Sequence, residues 1–433
     1  MIRALIASAT LCLLAALPAR AIDVQQVTSP GGIHAWLVQD DSIPFVALNF
    51  AFKGGASMDP PGKRGAVNLM TATLEEGAGD RDATQFAEET ERLGTDYSFA
   101  AGDDAVSVAA RMLTENRDQA ADLLHDALTD PTFSDEAVNR VRAQVEASIR
   151  AEHTDPQSLA TMEMAKQAWG DHPYATSING TADSVAGLTR DDLIDAKNRV
   201  LARDRVLVSA SGDISPEELG QLLDRILGDL PAKATAPLPP AADLQLTGGE
   251  TVIDWDSPQT IVMFAQQGLP MTDPDYFAAF VLDHVLGGGG FSSRLMNEIR
   301  EKRGLTYGVS TGLANQVLGQ TWQGGMATSN GNARQAVDLV KQIWGDIRGG
   351  ITQQELDAAK TYLTGEYPLR FDGNVRIATI LTSMQLMDMD PDYINTRNSK
   401  VEAVTLDDVK RVADRLLDTD KLRFVLVGRP EGM

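Results

Sequence analysis

Gly287-Gly288-Gly289-Gly290-Phe291-Ser292-Ser293-Arg294-Leu295 leads through Glu298-Ile299-Arg300-Glu301-Lys302-Arg303-Gly304-Leu305 to Thr306-Tyr307. A flexible glycine run opens a short amphipathic helix. Leu295, Ile299 and Lys302 fall near helical spacing, and Gly304 supplies a C-terminal stop. Tyr307-Gly308-Val309-Ser310 reads as the start of a strand. The pattern puts Arg300 near a helix end and Tyr307 at a strand start, so the two side chains can converge on one cleft.

Outward from this stretch the chain repeats itself. Thr189-x-Asp191-Asp192-Leu193 recurs as Thr405-x-Asp407-Asp408-Val409, 216 residues later. Gln119-Ala120-x-Asp122-Leu123 recurs as Gln335-Ala336-x-Asp338-Leu339 at the same offset, and Ser211-Gly212 as Val427-Gly428, each closing an apolar strand. A shared offset at widely separated places indicates duplication. The expected fold is α+β, with two domains of about 200 residues, each a mostly antiparallel sheet covered by helices. Pro231 to Pro240 is proline-rich and reads as an extended linker. The expected organisation is a leader over 1–21, a first domain over 22–230, the linker over 231–240 and a second domain over 241–433.

In the first half, Ile33 to Phe52 is strand-like. Asp59-Pro60-Pro61-Gly62 starts a helix with Val67, Met70 and Leu74 on one face. Thr84 to Leu93 is helical. Tyr97 to Met112 alternates as a strand pair broken at Gly102-Asp103-Asp104. Asn116–Leu128 and Asp135–Glu152 are helices, Thr189 caps another, and Val206 to Gly212 is a closing strand.

Arg3, the apolar run Ala4 to Leu17 and Ala19-Arg20-Ala21 have the form of an export signal, with a mature start near Ile22 and a periplasmic destination. The one cysteine, Cys12, lies inside it. A mature chain without cysteine excludes disulfides, thiolate zinc sites and a cysteine nucleophile. Formal charge is −23, and losing Arg3 and Arg20 leaves −25. Such a surface argues against nucleic acid and anionic membranes as partners.

The segment from Gly287 to Tyr307 resembles the second-half signature of the M16 metallopeptidases, the pitrilysin, insulinase and mitochondrial-processing type. Asp171-His172-Pro173-Tyr174 followed by Gly180-Thr181, and the Leu188-Thr189 helix start, extend the likeness over nearly the whole mature sequence. The resemblance implies two such domains forming half of a clamshell. It also implies that Arg300 and Tyr307 contact substrate at a zinc site.

Active members carry H-x-x-E-H on a first-half helix. Histidines at i and i+4 share one face and bind zinc, and the glutamate polarises water. Registering Gly65 and Gly77 on that pattern puts Asn68 and Ala72 at the histidines and Thr71 at the glutamate. The remaining carboxylate ligand falls near Val141. Ala72 has no ligating atom, and Thr71 is no carboxylate base. His34, His125, His153, His172 and His284 form no ligand pair. No cofactor is expected in this chain. Gly308-Val309-Ser310-Thr311-Gly312 matches G-x-S-x-G, but its flanks suggest strand or loop rather than the strand-turn-helix of a nucleophile elbow. The glycine run lacks the Lys-Ser/Thr of a phosphate loop and reads as a mobile loop at the cleft.

The resemblance therefore implies a non-catalytic subunit that supplies Arg300 and Tyr307 in trans to the zinc of an H-x-x-E-H partner, as a heterodimer hydrolysing peptides. The alternative is a peptide- or protein-binding envelope module with no proteolytic role.

Overall fold

The computed structural model describes residues 22–433; the leader and Cys12 lie outside the described residues. The first half has eight strands: β1 (Gln25–Thr28), β2 (His34–Gln39), β3 (Phe45–Lys53), the two-residue pair β4 (Gly77–Ala78) and β5 (Arg81–Asp82), β6 (Asp96–Ala101), β7 (Ala105–Leu113) and β8 (Val206–Gly212). Its helices are α1 (Ala66–Thr71), α2 (Ala83–Leu93), α3 (Arg117–Thr129), α4 (Asp135–Glu152), α5 (Pro156–Trp169), α6 (Ala182–Ala186), α7 (Arg190–Val200) and α8 (Pro216–Leu227). The second half has β9 (Gly249–Asp254), β10 (Gln259–Gln267), β11 (Thr306–Asn315), β12 (Gln320–Ser329) and β13 (Arg423–Gly428). Its helices are α9 (Tyr276–Asp283), α10 (Ala333–Asp346), α11 (Gln353–Glu366), α12 (Asn374–Leu386), α13 (Tyr393–Glu402) and α14 (Leu406–Leu416).

The main sheets have the orders β1-β2-β8-β3-β7-β6 and β9-β13-β10-β12-β11. The repeat is visible in the pairing. β8 runs parallel to β2 and antiparallel to β3; β13 runs parallel to β9 and antiparallel to β10. Both strands end on a glycine at positive φ, Gly212 at 134° and Gly428 at 154°. A Cβ at Gly212 would lie 2.3 Å from the Phe45 carbonyl oxygen, and one at Gly428 would lie 2.6 Å from Thr260 Oγ1, so both strands need glycine there. Thr189 and Thr405 cap α7 and α14 identically, each hydroxyl accepting the N–H three residues on.

Central strands are continuously apolar because both faces are covered. In β3, Val46, Leu48, Phe50 and Phe52 enter the first-half core, where α1, α3, α4 and α8 contribute Leu69, Leu124, Val141 and Leu223. The second core gathers Phe264, Trp322, Trp344 and Phe424.

The opposite faces are covered by exchanged helices. α5, from the first half, packs Ala160 and Met164 against Ala265, Val425 and Val427 of the second sheet. α12, from the second half, packs Ile377, Leu381 and Met384 beside Val38 of the first sheet. Polar bonds fix this docking: Gln385 Nε2 donates to the Val208 carbonyl at 2.8 Å, and Ser211 Oγ to Asn374 Oδ1 at 2.9 Å. The tips of the two sheets also meet. Asp104, in the β6–β7 turn, accepts the Val317 N–H at 2.9 Å, and the Tyr174 hydroxyl accepts that of Leu318 at 3.0 Å. The proline-rich connection runs across this junction without regular structure, and Ala242 N donates to the Leu318 carbonyl at 2.7 Å.

Candidate functional site

The glycine run is not the open loop that its composition suggests. α9 continues into a wide helical turn over His284–Gly288, closed by Gly289 N donating to the His284 carbonyl at 2.8 Å. A Cβ at Gly287 would lie 2.4 Å from Thr311 Oγ1 and 2.9 Å from Thr311 N. Glycine is there to let the helix lie directly on β11. Gly290 alone of the four has φ positive, at 57°, with open space around it.

Beneath this turn Asp283 accepts the Trp322 indole N–H at 2.6 Å. Burial pushes its carboxyl up to about 6, against the opposing pull of the Thr311 hydroxyl and the Trp322 indole. The sign follows: the folded chain holds this proton more tightly than the unfolded chain, so the contribution to stability is full below about 3.8 and lost as pH rises through about 6. Asp283→Asn keeps an acceptor for Trp322 and removes the ionisation. We expect it to raise thermal stability at pH 8 and to leave it unchanged near pH 4; equal melting shifts at both pH values would contradict this. His284 is buried against Tyr362, ring centroids 5.0 Å apart, and that burial lowers its pKa. Neither Asp283 nor His284 is part of a metal cluster.

Arg300 and Tyr307 are brought together. The helix that carries Arg300, Met296–Glu301, is also wound wide, with Leu295 and Ile299 fully buried. A bidentate pair from Arg294 to Glu355, at 2.7 and 2.8 Å, ties its start to α11. The guanidinium holds the Glu355 carboxyl down at about 2. Gly304, φ 63°, reverses the chain, with its N–H on the Arg300 carbonyl at 2.9 Å. The ladder between β11 and β12 then skips from Thr306 to Val309, and this bulge turns Tyr307 and Gly308 outward. Arg300 Nε donates to the Tyr307 carbonyl at 3.0 Å, and the guanidinium carbon stands 4.7 Å from the centroid of the Phe291 ring. Glu301 pairs with its other end. Tyr307 is 89% exposed, and its hydroxyl has no hydrogen-bond partner among the described residues. Gly308 to Gly312 is strand throughout, so no nucleophile elbow forms at Ser310.

The positions that the family likeness assigns to the metal lie on α1 and its C-cap, in the other half. Asp59 caps this helix through the N–H groups of Gly65 and Val67, both at 2.8 Å. Asn68 Nδ2 donates to Asn179 Oδ1 at 2.8 Å, and Asn179 Nδ2 to Glu152 Oε1 at 2.6 Å. Thr71 is buried and bonds back to the Val67 carbonyl. Ala72 presents only a methyl group, packed on the first core. Amide, hydroxyl and methyl do not make a zinc site. Among the described residues no group of three His, Cys, Asp or Glu side chains is placed to hold a metal ion.

The position assigned near Val141 needs correction. Val141 is 2% exposed and belongs to the core. The α4 carboxylate that faces the Asn68 network is Glu152, in the helix's last turn. Its signal was present in the sequence: Val138, Val141, Val145, Ile149 and Glu152 follow one helical stripe, so Glu152 is the polar end of an apolar face.

A cavity of about 700 Å³ opens next to this network, between α5, the Thr176–Ile178 loop and the exposed side of the second sheet. Glu152 and Ser177 line it; Arg300 and Tyr307 do not.

Fold and site together define a duplicated α+β chain in which the positions that the metallopeptidase likeness assigns to the metal carry Asn68, Thr71 and Ala72, and Arg300 is bonded to the Tyr307 backbone. Residues 35–182 match the model of the insulinase family, peptidase family M16, and residues 187–363 match that of the peptidase M16 inactive domain. The chain belongs to the M16 family. It is 29% identical over 330 residues, 76% of each chain, to a protein of Helicobacter pylori named non-peptidase homolog YmxG. The crystal structure of a peptidase M16 inactive domain from Pseudomonas fluorescens superposes with a TM-score of 0.88 at 29% identity, covering 94% of this chain and 98% of that one. A Helicobacter pylori protease structure, at 16% identity, shares the fold, with a TM-score of 0.85 and coverage of 94% and 100%.

Proposed function

We propose that this chain is an exported, non-catalytic subunit that pairs with a separate H-x-x-E-H chain of the same family and lends it Arg300 and Tyr307 for peptide hydrolysis. The observation that carries the reading is an asymmetry. The metal positions are filled by Asn68, Thr71 and Ala72, while Tyr307 is held on a bulge with its hydroxyl free. A tyrosine held that exposed suits contact with a partner outside its own half. That a relative carries the name non-peptidase homolog supports the same view.

In this role the Tyr307 hydroxyl donates to the oxyanion that develops on the scissile carbonyl, and Arg300 donates to a neighbouring substrate carbonyl. Zinc belongs to the partner in this reading. Both β6 and β11 are terminal strands, so each offers unpaired backbone groups to an extended peptide. The export-signal form of the sequence over 1–21 supports a periplasmic place for the complex.

The test is isolation of the tagged mature chain from its own host's periplasm, with mass-spectrometric identification of what accompanies it. Recovery of a similar-sized H-x-x-E-H chain in equal amount supports the reading. Recovery of this chain alone moves the assignment to a peptide-binding envelope module without proteolysis.

A further inference from the structure

Another cavity, of about 710 Å³, lies between the first turn of α9, the connection from Asp388 to Tyr393, α13 and the start of α14. It shares no lining residue with the cavity beside Glu152, and Arg300 and Tyr307 are not part of it. A space of this size holds a small organic molecule. Its charged groups fall into two sets. Arg415 pairs with Asp273 at 2.8 Å, and Arg411 with Asp408 at 2.7 Å, so these groups are satisfied within the chain. Asp388, Asp390, Asp392 and Lys400 also line the cavity, and none of them enters an ion pair among the described residues.

The unpaired groups are held in place by the fold. Lys400 Nζ stands 5.3 Å from the centroid of the Tyr393 ring and 5.8 Å from that of Phe277. The two rings steady the ammonium by their faces and leave it without a counter-ion. Asp388 sits at φ 56° and closes α12, with its N–H on the Gln385 carbonyl at 3.1 Å and the Met389 N–H on the Met384 carbonyl at 2.9 Å. Such a turn suits glycine or asparagine. The aspartate that stands there has a carboxylate with no hydrogen-bond donor among the described residues. Asp390 Oδ1 accepts the Asp392 N–H at 2.9 Å, which folds the two carboxylates into one turn. Met271, Phe277 and Met389 supply apolar wall beside them.

We propose that this cavity binds a cationic α-amino acid of the arginine or lysine type, with its carboxylate on Lys400, its cationic groups on Asp388 and the Asp390–Asp392 turn, and its aliphatic stem along Phe277, Met271 and Met389. The site stands apart from the Arg–Tyr reading and goes beyond it. Unpaired charge of both signs calls for a ligand that carries both, and three free carboxylates against one ammonium set its net charge positive. An acidic amino acid meets like charge there. A hydrocarbon satisfies none of the four charged groups.

The test is isothermal titration calorimetry of the full mature chain with L-arginine, with agmatine, which is arginine without its carboxylate, and with L-glutamate. We expect L-arginine to bind and L-glutamate not to. Asp388→Asn tolerates the left-handed φ, so the fold persists, and L-arginine should bind about tenfold more weakly. Lys400→Gln should lower the ratio of arginine to agmatine affinity by about fivefold, because only arginine has a carboxylate to lose its partner. Equal arginine affinity in wild type and Asp388→Asn overturns the proposal. An arginine-to-agmatine ratio that Lys400→Gln leaves unchanged overturns it as well. So does an absence of heat with L-arginine at millimolar concentration.

Discussion

Tyr307→Phe, placed in the proposed two-chain complex, is expected to lower kcat/KM for peptide hydrolysis by about 10²–10³ while the complex stays assembled. The magnitude is that of removing one preorganised donor to a developing oxyanion in a water-poor site. The substitution is a clean probe here because Tyr307 is 89% exposed and its hydroxyl makes no bond within the chain. Folding stability should therefore change by less than about 0.5 kcal/mol. Arg300→Ala is expected to cost at least as much activity. It removes a donor and also frees the Tyr307 carbonyl, which Arg300 Nε holds at 3.0 Å. Steady-state kinetics on the complex, with melting curves of the isolated variants, separate the two effects. Full activity in both variants would strip these residues of a catalytic role.

Leu381→Ala lowers stability by about 2–5 kcal/mol, and it does so in a single transition that includes the first half. Leu381 is fully buried, yet it lies on α12, a second-half helix seated on the first sheet. Its neighbours Thr382 and Gln385 bond to the backbone of β3 and β8. α5 makes the reciprocal crossing. With each sheet covered by the other half's helix, neither half buries its apolar surface alone. Differential scanning calorimetry should show one peak that moves down as a unit. Two peaks, with only the second-half peak displaced, would contradict the exchange.

The duplicated α+β plan was legible because the repeat sits in residues with strict local jobs. Thr189 and Thr405 are caps, and Gly212 and Gly428 occupy positive φ where a Cβ would strike a neighbouring strand. Such positions resist change for reasons that sequence alone expresses. The nearness of Arg300 to the Tyr307 backbone was legible for a similar reason, since a short helix, Gly304 and a strand start leave few geometries.

The exchange of α5 and α12 was not legible. The apolar faces of these helices announce burial, not which sheet they bury against. α5 did carry a local signal in Asp155, which caps it, and Pro156 in its first turn. The glycine run misled because four glycines suggest flexibility, whereas here three of them permit contact with Thr311, Asp283 and His284. The third assigned position fell on Val141, a core residue, because a helical register drifts over a long gap; the apolar stripe ending at Glu152 was the better guide to the carboxylate that faces Asn68.

The central claim is that this chain supplies the Arg–Tyr pair and its partner supplies the metal. It is tested most directly by mixing the purified mature chain with the purified H-x-x-E-H chain of its own host and following cleavage of a quenched fluorescent peptide. The account predicts negligible hydrolysis by either chain alone, hydrolysis by the mixture that saturates at one to one, and zinc retained by the partner only. Hydrolysis by this chain alone, with zinc bound to it in equal amount, would contradict the account outright.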